Sequence, residues 1–277
     1  MAHIVVPAAE ALLDKEFQVL NKGFVRLVDY LGGDERIVQA ARVSYGAGTK
    51  TVREDKGLIN YLMKNLHTSP FEQVILTFHA KMPIFVARQW IRHRTARLNE
   101  ISGRYSVMKD EFYLPDTKDI RYQSQTNKQG RGDEVPFDLQ GKVVELLKRD
   151  QTTVYANYEE MIQDDIAREL ARINLPLSLY TEWYWQIDLH NLFHFLKLRT
   201  DDHAQKEIRV YGEVMALIAK AVAPIAFDAY EEHILHAVRF SRAEMTVLRD
   251  LLNGKENPLK GKALEEFTRK LSSPEVG

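Results

Sequence analysis

The sequence predicts an α+β fold, in which helices pack around a modest antiparallel sheet. Residues 72–82 alternate apolar and polar side chains, which is typical of a strand with one buried face. Several longer segments repeat their apolar residues with the period of a helix instead. At 277 residues, the chain is long enough to bury a substantial core, in one large domain or two small ones.

The first half of the chain predicts two helices before this strand. Asp34 is a candidate N-cap for a helix over 35–45. A second helix is expected over 55–66, with one apolar stripe: Leu58, Tyr61, Leu62 and Leu66. In the strand, the apolar face is predicted to consist of Val74, Leu76, Phe78, Ala80 and Met82. Pro83 suits the first turn of the helix that follows.

The second half predicts a long polar loop and then helices. Residues 115–136 are polar and contain two glycines and two prolines, so a surface loop is expected. Helices are predicted over about 139–173 and about 180–199. A third is predicted after the capping candidates Thr200, Asp201 and Asp202, with an end at Pro224 and an apolar stripe: Ile208, Tyr211, Met215, Ile218 and Val222. The tail from about 250 is highly charged and expected to be peripheral.

Composition excludes several classes of protein. The formal net charge is -1, so any binding of anions must come from local clusters of charge. The absence of cysteine excludes a disulfide scaffold, a Cys-ligated metal site and a thiolate nucleophile. No signal peptide and no apolar run of membrane-spanning length are present. We therefore expect a cytoplasmic protein that acts on neither nucleic acid nor membrane.

The most informative segment is an arginine cluster over residues 88–105. It holds five arginines and one acidic residue: Arg88, Arg92, Arg94, Arg97, Arg104 and Glu100. Arginine pairs bidentately with phosphate, so the cluster predicts an anion site. Charge alone leaves two other interpretations open. Basic residues at a helix end interact favourably with the helix dipole without a ligand, and arginines beside Trp90 and Tyr105 would suit RNA.

The whole string RHRTARLNEISGRY closely resembles the signature of flavin-dependent thymidylate synthases. The segments AARVSY, SPFEQ, TFHAKMPIFVARQW, ARINLPLSLYTEWYW, DLHNLFHFLKLR and DDHAQKEI resemble that family in the same order. The resemblance covers about residues 20–225. It implies a single domain over 1–277, with 226–277 as a variable helical extension. Arg97 and Gln73 depart from the family, in which many members carry Ser and His.

The resemblance implies the reductive methylation of dUMP to dTMP. Methylenetetrahydrofolate would supply the carbon, and FAD that NADPH has reduced would supply the hydride. Arg199 matches the residue that contacts the uracil ring and favours its ionisation at N3, which is electrostatic catalysis. The residues implied to bind dUMP are Gln89, Arg92, Glu100, Ile101, Ser102, Gly103, Arg104, Arg172 and Arg199. Ser102 is expected to position the substrate, since no base that would activate it as a nucleophile is evident.

The residues that the resemblance implies for FAD are Ser69, Arg92, His93, Arg94, Glu100, Asp188, His190 and His194, with His203 near the flavin. His190 and His194 share one helical face, a spacing that also suits a zinc pair or histidines at the edge of the core. We expect no metal, because HNLFH lacks the Glu of a zinc-protease helix. No glycine-rich dinucleotide loop is present, so FAD would be held outside a Rossmann fold.

The family resemblance also implies a homotetramer with active sites shared between chains. Trp183, Tyr184 and Trp185 are candidates for either its interfaces or the core. Two other functions remain open: a flavoprotein oxidase or reductase without methyl transfer, and an RNA-binding module that uses the arginine cluster.

Overall fold

A computed structural model describes residues 4–43, 52–125 and 130–272 of the chain. Eleven helices occur in these ranges: α1 Pro7–Glu10, α2 Asp34–Arg42, α3 Val52–Lys64, α4 Ile84–Trp90, α5 Phe137–Gln163, α6 Arg168–Ala171, α7 Leu189–Arg199, α8 Lys206–Val222, α9 Pro224–Tyr230, α10 Arg242–Leu252 and α11 Gly261–Ser272. Seven strands accompany them: β1 Glu16–Val19, β2 Gly23–Leu31, β3 Ile75–Pro83, β4 Arg97–Glu100, β5 Arg121–Gln123, β6 Arg131–Glu134 and β7 Tyr180–Asp188. The predicted α+β class is confirmed.

The main sheet has five antiparallel strands in the order β1-β2-β3-β7-β4. The alternation predicted for β3 is confirmed, since Leu76, Phe78 and Ala80 are fully buried. β7 is long and lies between β3 and β4, and Phe78 pairs with Trp185 across the β3–β7 ladder. Because β4 pairs only with β7 within the described ranges, the arginine-rich segment forms a short edge strand.

Trp90 is fully buried at the centre of the core, against the covered face of the sheet. Its indole lies 5.4 Å from the ring of Trp183 and 5.3 Å from that of Trp185, edge to face. The rings of Phe195 in α7 and Tyr211 in α8 lie at 5.2 and 5.8 Å. This aromatic cluster fixes the end of α4 against β7 and α7. Trp183 and Trp185 therefore belong to the core, whereas Tyr184 is 45% exposed.

Several predicted boundaries need correction. The helix expected over 180–199 is wrong in its first half, which is β7; there Trp183, Trp185 and Ile187 alternate with more exposed residues. The helix expected over 139–173 ends at Gln163, where the chain turns through Asp165 at a φ of 58° before α6. The loop expected over 115–136 contains the β5–β6 hairpin, although residues 126–129 lie outside the described ranges.

The predicted helix stripes were partly right. In α8 all five predicted apolar residues are buried and the helix ends before Pro224, but it begins at Lys206, so Thr200, Asp201 and Asp202 are not its cap. In α3 the buried residues are Ile59, Leu62 and Met63, whereas Tyr61 and Leu66 are exposed. Pro83 is the last residue of β3 and the N-cap of α4, rather than a residue within the helix.

Asp34 caps a different helix from the one predicted. It is the first residue of α2, whose N-cap is Gly33; the end predicted at 45 falls outside the described ranges. The Asp34 carboxylate accepts hydrogen bonds of 2.8 Å from the backbone N–H groups of Ile225 and Ala226, in the first turn of α9. One acidic residue thus joins the N-terminal ends of two helices that are distant in sequence.

The C-terminal helices α10 and α11 form a small pair of their own. Ser241 and Glu244 make a capping box at the start of α10. Lys270 of α11 pairs with Glu244 at 2.6 Å, and the Phe240 ring contacts the buried Phe267. None of the helices in the described ranges has the length and apolar character needed to cross a membrane.

Candidate active site

The candidate site lies at the C-terminal ends of α4 and α7, beside the aromatic cluster. Trp90 is the last residue of α4, and the next residues, Arg92–Thr95, form a turn that leads into β4. α7 starts at the end of β7 and brings Arg199, its last residue, to the same place. The buried end of α4 and the half-buried Arg199 at the end of α7 therefore lie beside a segment rich in arginine, most of which remains exposed.

Arg199 is held from two sides by the α4 end. Its Nε donates a hydrogen bond of 3.0 Å to His93 Nε2, and a terminal nitrogen lies 3.4 Å from the backbone oxygen of Gln89. Burial lowers the pKa of the Arg199 guanidinium from its ordinary value, but arginine stays charged at neutral pH. The result is a half-buried cation in a fixed orientation.

His93 is the neutral partner of this cation. Burial, the Arg199 charge and His194 together lower the pKa of His93 to about 4. The imidazole is therefore uncharged at neutral pH, and its Nε2 can accept from Arg199. Its ring packs edge to face on Phe195 at 4.8 Å, which fixes its plane.

A cavity of about 300 Å³ opens beside this pair, and we call it the Arg199 cavity. It is lined by Arg92, His93, Arg94, Thr95, Ile187, Asn191, His194, Leu198 and Arg199. Three of these side chains are guanidinium groups, and no carboxylate is among them. The Arg199 cavity is suited to an anion, such as a phosphate, with planar polar groups beside it.

A second cavity shares His194 with the first, and we call it the His190 pocket. Its walls are mainly apolar and aromatic, with three histidines and a lysine: Leu62, Met63, Leu66, His67, Thr68, Phe71, His190, Phe193, His194, Lys197 and Ile234. His190 and His194 thus share one face of α7, as predicted. Apolar walls with a few polar groups suit a flat heteroaromatic ring.

Three residues predicted to lie near the flavin are placed elsewhere or have other partners. Asp188 caps α7, where its carboxylate accepts from the backbone and side-chain nitrogens of Asn191 at 2.9 and 2.8 Å. Ser69 lies on a separate surface cavity that includes Gln73. His203 is exposed and hydrogen bonded to Asp201 at 2.8 Å.

The residues after β4 form a separate feature, which we call the Ser102 turn. The Ile101 N–H donates to the backbone oxygen of Glu182, which holds the start of the turn on β7. Ser102 Oγ accepts from the Arg104 N–H at 3.3 Å, a local bond. A Cβ on Gly103 would lie 3.0 Å from Arg172 Cδ, so glycine permits the close approach of Arg172.

The exposed groups of the Ser102 turn are loosely held. Arg104 pairs with Glu169 at 3.3 Å, and both side chains are more than half exposed. Within the described residues, the structure records no histidine or carboxylate hydrogen bonded to Ser102 Oγ. The expectation that Ser102 positions a ligand, rather than attacks it, stays a prediction.

Glu100 lies at the end of β4, between the two features. Its Oε1 accepts a hydrogen bond of 2.6 Å from Thr181 Oγ1, a buried hydroxyl of β7. Arg97 at the other end of β4 is 3.4 Å from Gln186 Oε1. The Arg97 side chain therefore adds charge at the exposed edge of the sheet.

The structure brings the predicted residues together in groups rather than in one pocket. Gln89, Arg92, His93, Arg94, His194 and Arg199 meet at or beside the Arg199 cavity. Ile101, Ser102, Gly103, Arg104 and Arg172 meet at the Ser102 turn. The four residues of β4 separate the two groups, a length of about 13 Å at roughly 3.3 Å per residue.

Sequence reasoning missed residues that the fold supplies. His67, Asn191 and Lys197 line the two cavities, and Thr181 holds Glu100. His67 precedes the matched segment SPFEQ by only a few residues, which was an available signal. Thr181 could be found only by recognising β7 as a strand. Among the described residues, no group of three or more His, Asp or Glu side chains is arranged to hold a metal ion.

Comparison with known proteins identifies the family. Residues 26–225 match the family described as thymidylate synthase complementing protein, and residues 238–275 match the thymidylate synthase ThyX C-terminal domain. The flavin-dependent thymidylate synthase of Treponema denticola is 65% identical over 94% of this chain and 98% of that protein. This chain belongs to the flavin-dependent thymidylate synthase family.

Further relatives agree with this assignment. The flavin-dependent thymidylate synthase of Treponema pallidum is 57% identical, over 99% of this chain and 90% of that protein. A solved structure of the UMP/dUMP methylase PolB from Streptomyces cacaoi, bound with 5-Br dUMP, is also similar. It has a TM-score of 0.71 and 32% identity, and covers 78% of this chain and 97% of that one. The resemblance noted from the sequence is thereby confirmed.

The residues present fit the flavin that this family depends on. The His190 pocket supplies apolar and aromatic walls, and the Arg199 cavity beside it supplies guanidinium groups. His194 lines both, so one ligand that carries a flat ring and phosphates can use the two cavities together. None of the described residues that line these two cavities is a glycine.

Proposed function

We propose that this protein converts dUMP to dTMP by reductive methylation in the cytoplasm. FAD is the flavin, NADPH reduces it, and methylenetetrahydrofolate donates the carbon. Bound FAD supplies the hydride that the reaction needs. The observation that carries the proposal is Arg199, a cation fixed by His93 and by the Gln89 carbonyl in a cavity without carboxylates.

Arg199 provides the electrostatic part of the reaction. A half-buried guanidinium beside the pyrimidine stabilises negative charge on the ring, and the low local dielectric strengthens the effect. His93 keeps the guanidinium oriented and, being neutral, does not compete with it for the anion. In this way the protein activates carbon 5 without a cysteine, and the chain contains none.

The Ser102 turn binds the substrate. The exposed guanidinium of Arg104 and the half-buried one of Arg172 provide charge for the phosphate. Ser102 supplies a hydroxyl and Gly103 an accessible backbone. Gln89, Arg92, Glu100 and Ile101 complete the dUMP site. FAD is held by Arg92, His93, Arg94, Glu100, His190 and His194, together with Asp188 at the N-cap of α7 and Ser69, which follows Thr68 of the His190 pocket in sequence.

The active protein is a homotetramer whose sites draw residues from more than one chain. The Ser102 turn and the Arg199 cavity lie at opposite ends of β4, so a single chain offers each nucleotide only half of the proposed contacts. Large apolar side chains are exposed near Arg172: Leu170 at 58%, Ile173 at 77% and Leu177 at 61%. Such a patch on a single chain suits an interface with a second copy.

Tritium release from dUMP labelled at carbon 5 tests the reaction. Release should require methylenetetrahydrofolate together with NADPH, and NADPH should bleach the yellow protein under anaerobic conditions. An oxidase or reductase would bleach without release, and an RNA-binding module would do neither. Either of these two results would contradict the proposal.

Mixing two impaired variants tests the shared site. At dUMP concentrations well below the wild-type dissociation constant, Arg199→Ala should be nearly inactive and Arg104→Ala about tenfold less active than the wild type. Mixed oligomers should regain part of the activity, because some sites then combine an intact Arg199 with an intact Arg104. No recovery in oligomers shown to be mixed would place both residues of each site on one chain.

A further inference from the structure

Glu207, the second residue of α8, is a buried carboxylate that the proposed chemistry does not use. It is 1% exposed. Its Oε1 accepts from the Tyr113 hydroxyl at 2.8 Å and from the Arg131 guanidinium of β6. Its Oε2 accepts from Gln205 Nε2 at 2.8 Å, and Gln205 Oε1 lies 2.5 Å from Gln89 Nε2.

These contacts form a directed chain of hydrogen bonds. Burial favours the neutral form of Glu207, but hydrogen bonds from Arg131, Tyr113 and Gln205 outweigh it and lower its pKa, so the carboxylate is ionised and can only accept. Gln205 must then turn its NH2 toward Glu207, which leaves its carbonyl oxygen to accept from the NH2 of Gln89. The two amides are consequently fixed in one of their two flipped orientations, without ambiguity between oxygen and nitrogen.

The last group in this chain is Gln89 Oε1. Within the described residues, the structure records no donor to this oxygen, whereas the backbone oxygen of the same residue contacts Arg199. Gln89 therefore keeps an available acceptor, Oε1, on a residue whose backbone oxygen contacts the cation of the proposed site.

We propose that Glu207 acts through Gln205 to fix Gln89 as a hydrogen-bond acceptor, which selects a nucleotide that offers a donor at that position. This inference rests on the proposed contact of Gln89 with dUMP. Before any ionisation at N3, uridylate has two such donors, the N3–H of the neutral base and the 3′-hydroxyl of the sugar. Glu207 and Gln205 are positioning residues, since neither needs to touch the nucleotide.

The test compares nucleotide selectivity in the full-length, FAD-loaded protein. Dissociation constants are measured by calorimetry for dUMP, for dCMP, which has a bare N3 acceptor, and for 2′,3′-dideoxyuridine 5′-monophosphate, which lacks the 3′-hydroxyl. In the wild type, the dissociation constant of one of the two analogues should exceed that of dUMP by about tenfold or more. Gln89 Oε1 would face either another acceptor or no partner in that analogue, and both arrangements are costly. Gln205→Leu should reduce that ratio by at least about fivefold, since the Gln89 amide is then free to turn.

Two further variants separate positioning from general damage. Glu207→Gln should reduce the ratio of dissociation constants that Gln205→Leu reduces. An amide at 207 can donate to Gln205 Oε1, so the Gln205 amide is no longer held in one orientation. Tyr113→Phe removes a hydrogen bond from the other carboxylate oxygen and should keep the wild-type ratio. A merely structural effect would weaken binding of all three nucleotides alike.

The outcomes distinguish this inference from the proposed function. If the wild-type protein fails to bind dUMP, the proposed function is wrong. If it binds dUMP but discriminates against neither analogue, or if Gln205→Leu keeps both wild-type ratios, the positioning role is wrong while the function stands. A loss of selectivity in Tyr113→Phe equal to that in Gln205→Leu would also overturn the role.

Discussion

The Arg199 cavity and the Ser102 turn contain the same kind of residue but hold it differently. Arg199 is half-buried, donates a hydrogen bond to the neutral His93, and lies beside the buried aromatic cluster. Arg104 is 57% exposed and pairs with Glu169, whose side chain is 56% exposed. A fixed cation can stabilise charge as it develops in a transition state, whereas a mobile one mainly attracts and binds an anion. The difference supports the proposal that the first region is catalytic and that the second binds the substrate.

Removal of the Arg199 guanidinium should have the largest effect. We expect Arg199→Ala to lower kcat by about 10²–10³-fold, the size found when one donor to a developing anion is lost. FAD should remain bound, because the other residues of the His190 pocket are intact. Tritium release measures the loss, and visible absorbance of the purified variant measures the flavin. A near-normal kcat would show that Arg199 is not the catalytic cation.

Removal of the Arg104 guanidinium should act on binding instead. We expect Arg104→Ala to raise the dissociation constant of dUMP by about tenfold, in line with a charge-assisted hydrogen bond of roughly 1.5 kcal/mol. The effect should shrink in high salt because the side chain is exposed. Calorimetry at two salt concentrations checks this, with Arg239→Ala in the segment before α10 as a matched control. A change in kcat alone would contradict the assignment of Arg104 to binding.

The sequence predicted the residues of the arginine-rich segment better than it predicted the strands, β4 and β7, that separate those residues into two groups. RHRTARLNEISGRY identified the residues, because their types and spacing are local properties. The distance between Arg94 and Ser102 depends on β4 pairing with β7, and β7 was expected to be helical. In β7, the apolar residues Trp183, Trp185 and Ile187 do alternate with polar ones. However, α7 follows without a break, so its helical pattern led to a helix being predicted for the β7 residues as well.

Long-range partners were the part that the sequence could not supply. Asp34 has the properties of an N-cap, and local pattern assigned it to the next helix in the chain. The structure instead places its carboxylate on α9, almost two hundred residues later. In the same way, no local pattern connects Glu100 with Thr181 or Glu207 with Gln89. Such contacts depend on tertiary packing, which a single sequence read segment by segment does not encode.

The neutral state of His93 gives the first region a pH dependence. In the folded protein the pKa of His93 is about 4, below the ordinary value of 6.5. Between these values the unfolded chain binds the proton more readily, so the contribution of His93 to stability is complete above about pH 6.5 and is lost as pH falls toward 4. The Tm of the wild type should therefore fall more steeply than that of His93→Gln over this range.

The control for this pH experiment is a histidine outside the cavity. His236 is exposed in the segment between α9 and α10, so His236→Gln should follow the wild-type curve between pH 4 and 6.5. If His93→Gln and the wild type lose stability in parallel, His93 is not held neutral by its surroundings. The proposed orientation of Arg199 would then need another explanation.

The smallest effect on catalysis is expected outside both regions, at the Asp34 carboxylate. Asp34→Ala removes two hydrogen bonds to the first turn of α9 and should lower the free energy of unfolding by about 1–2 kcal/mol. Asp34→Asn, which keeps an acceptor oxygen, should lose less. Denaturant unfolding measures both variants, and tritium release per folded protein should stay within about twofold of the wild type. A large loss of kcat in Asp34→Ala would mean that packing around α9 controls the Arg199 cavity. The rigidity that distinguishes the Arg199 cavity from the Ser102 turn would then depend on the packing of the helices around it.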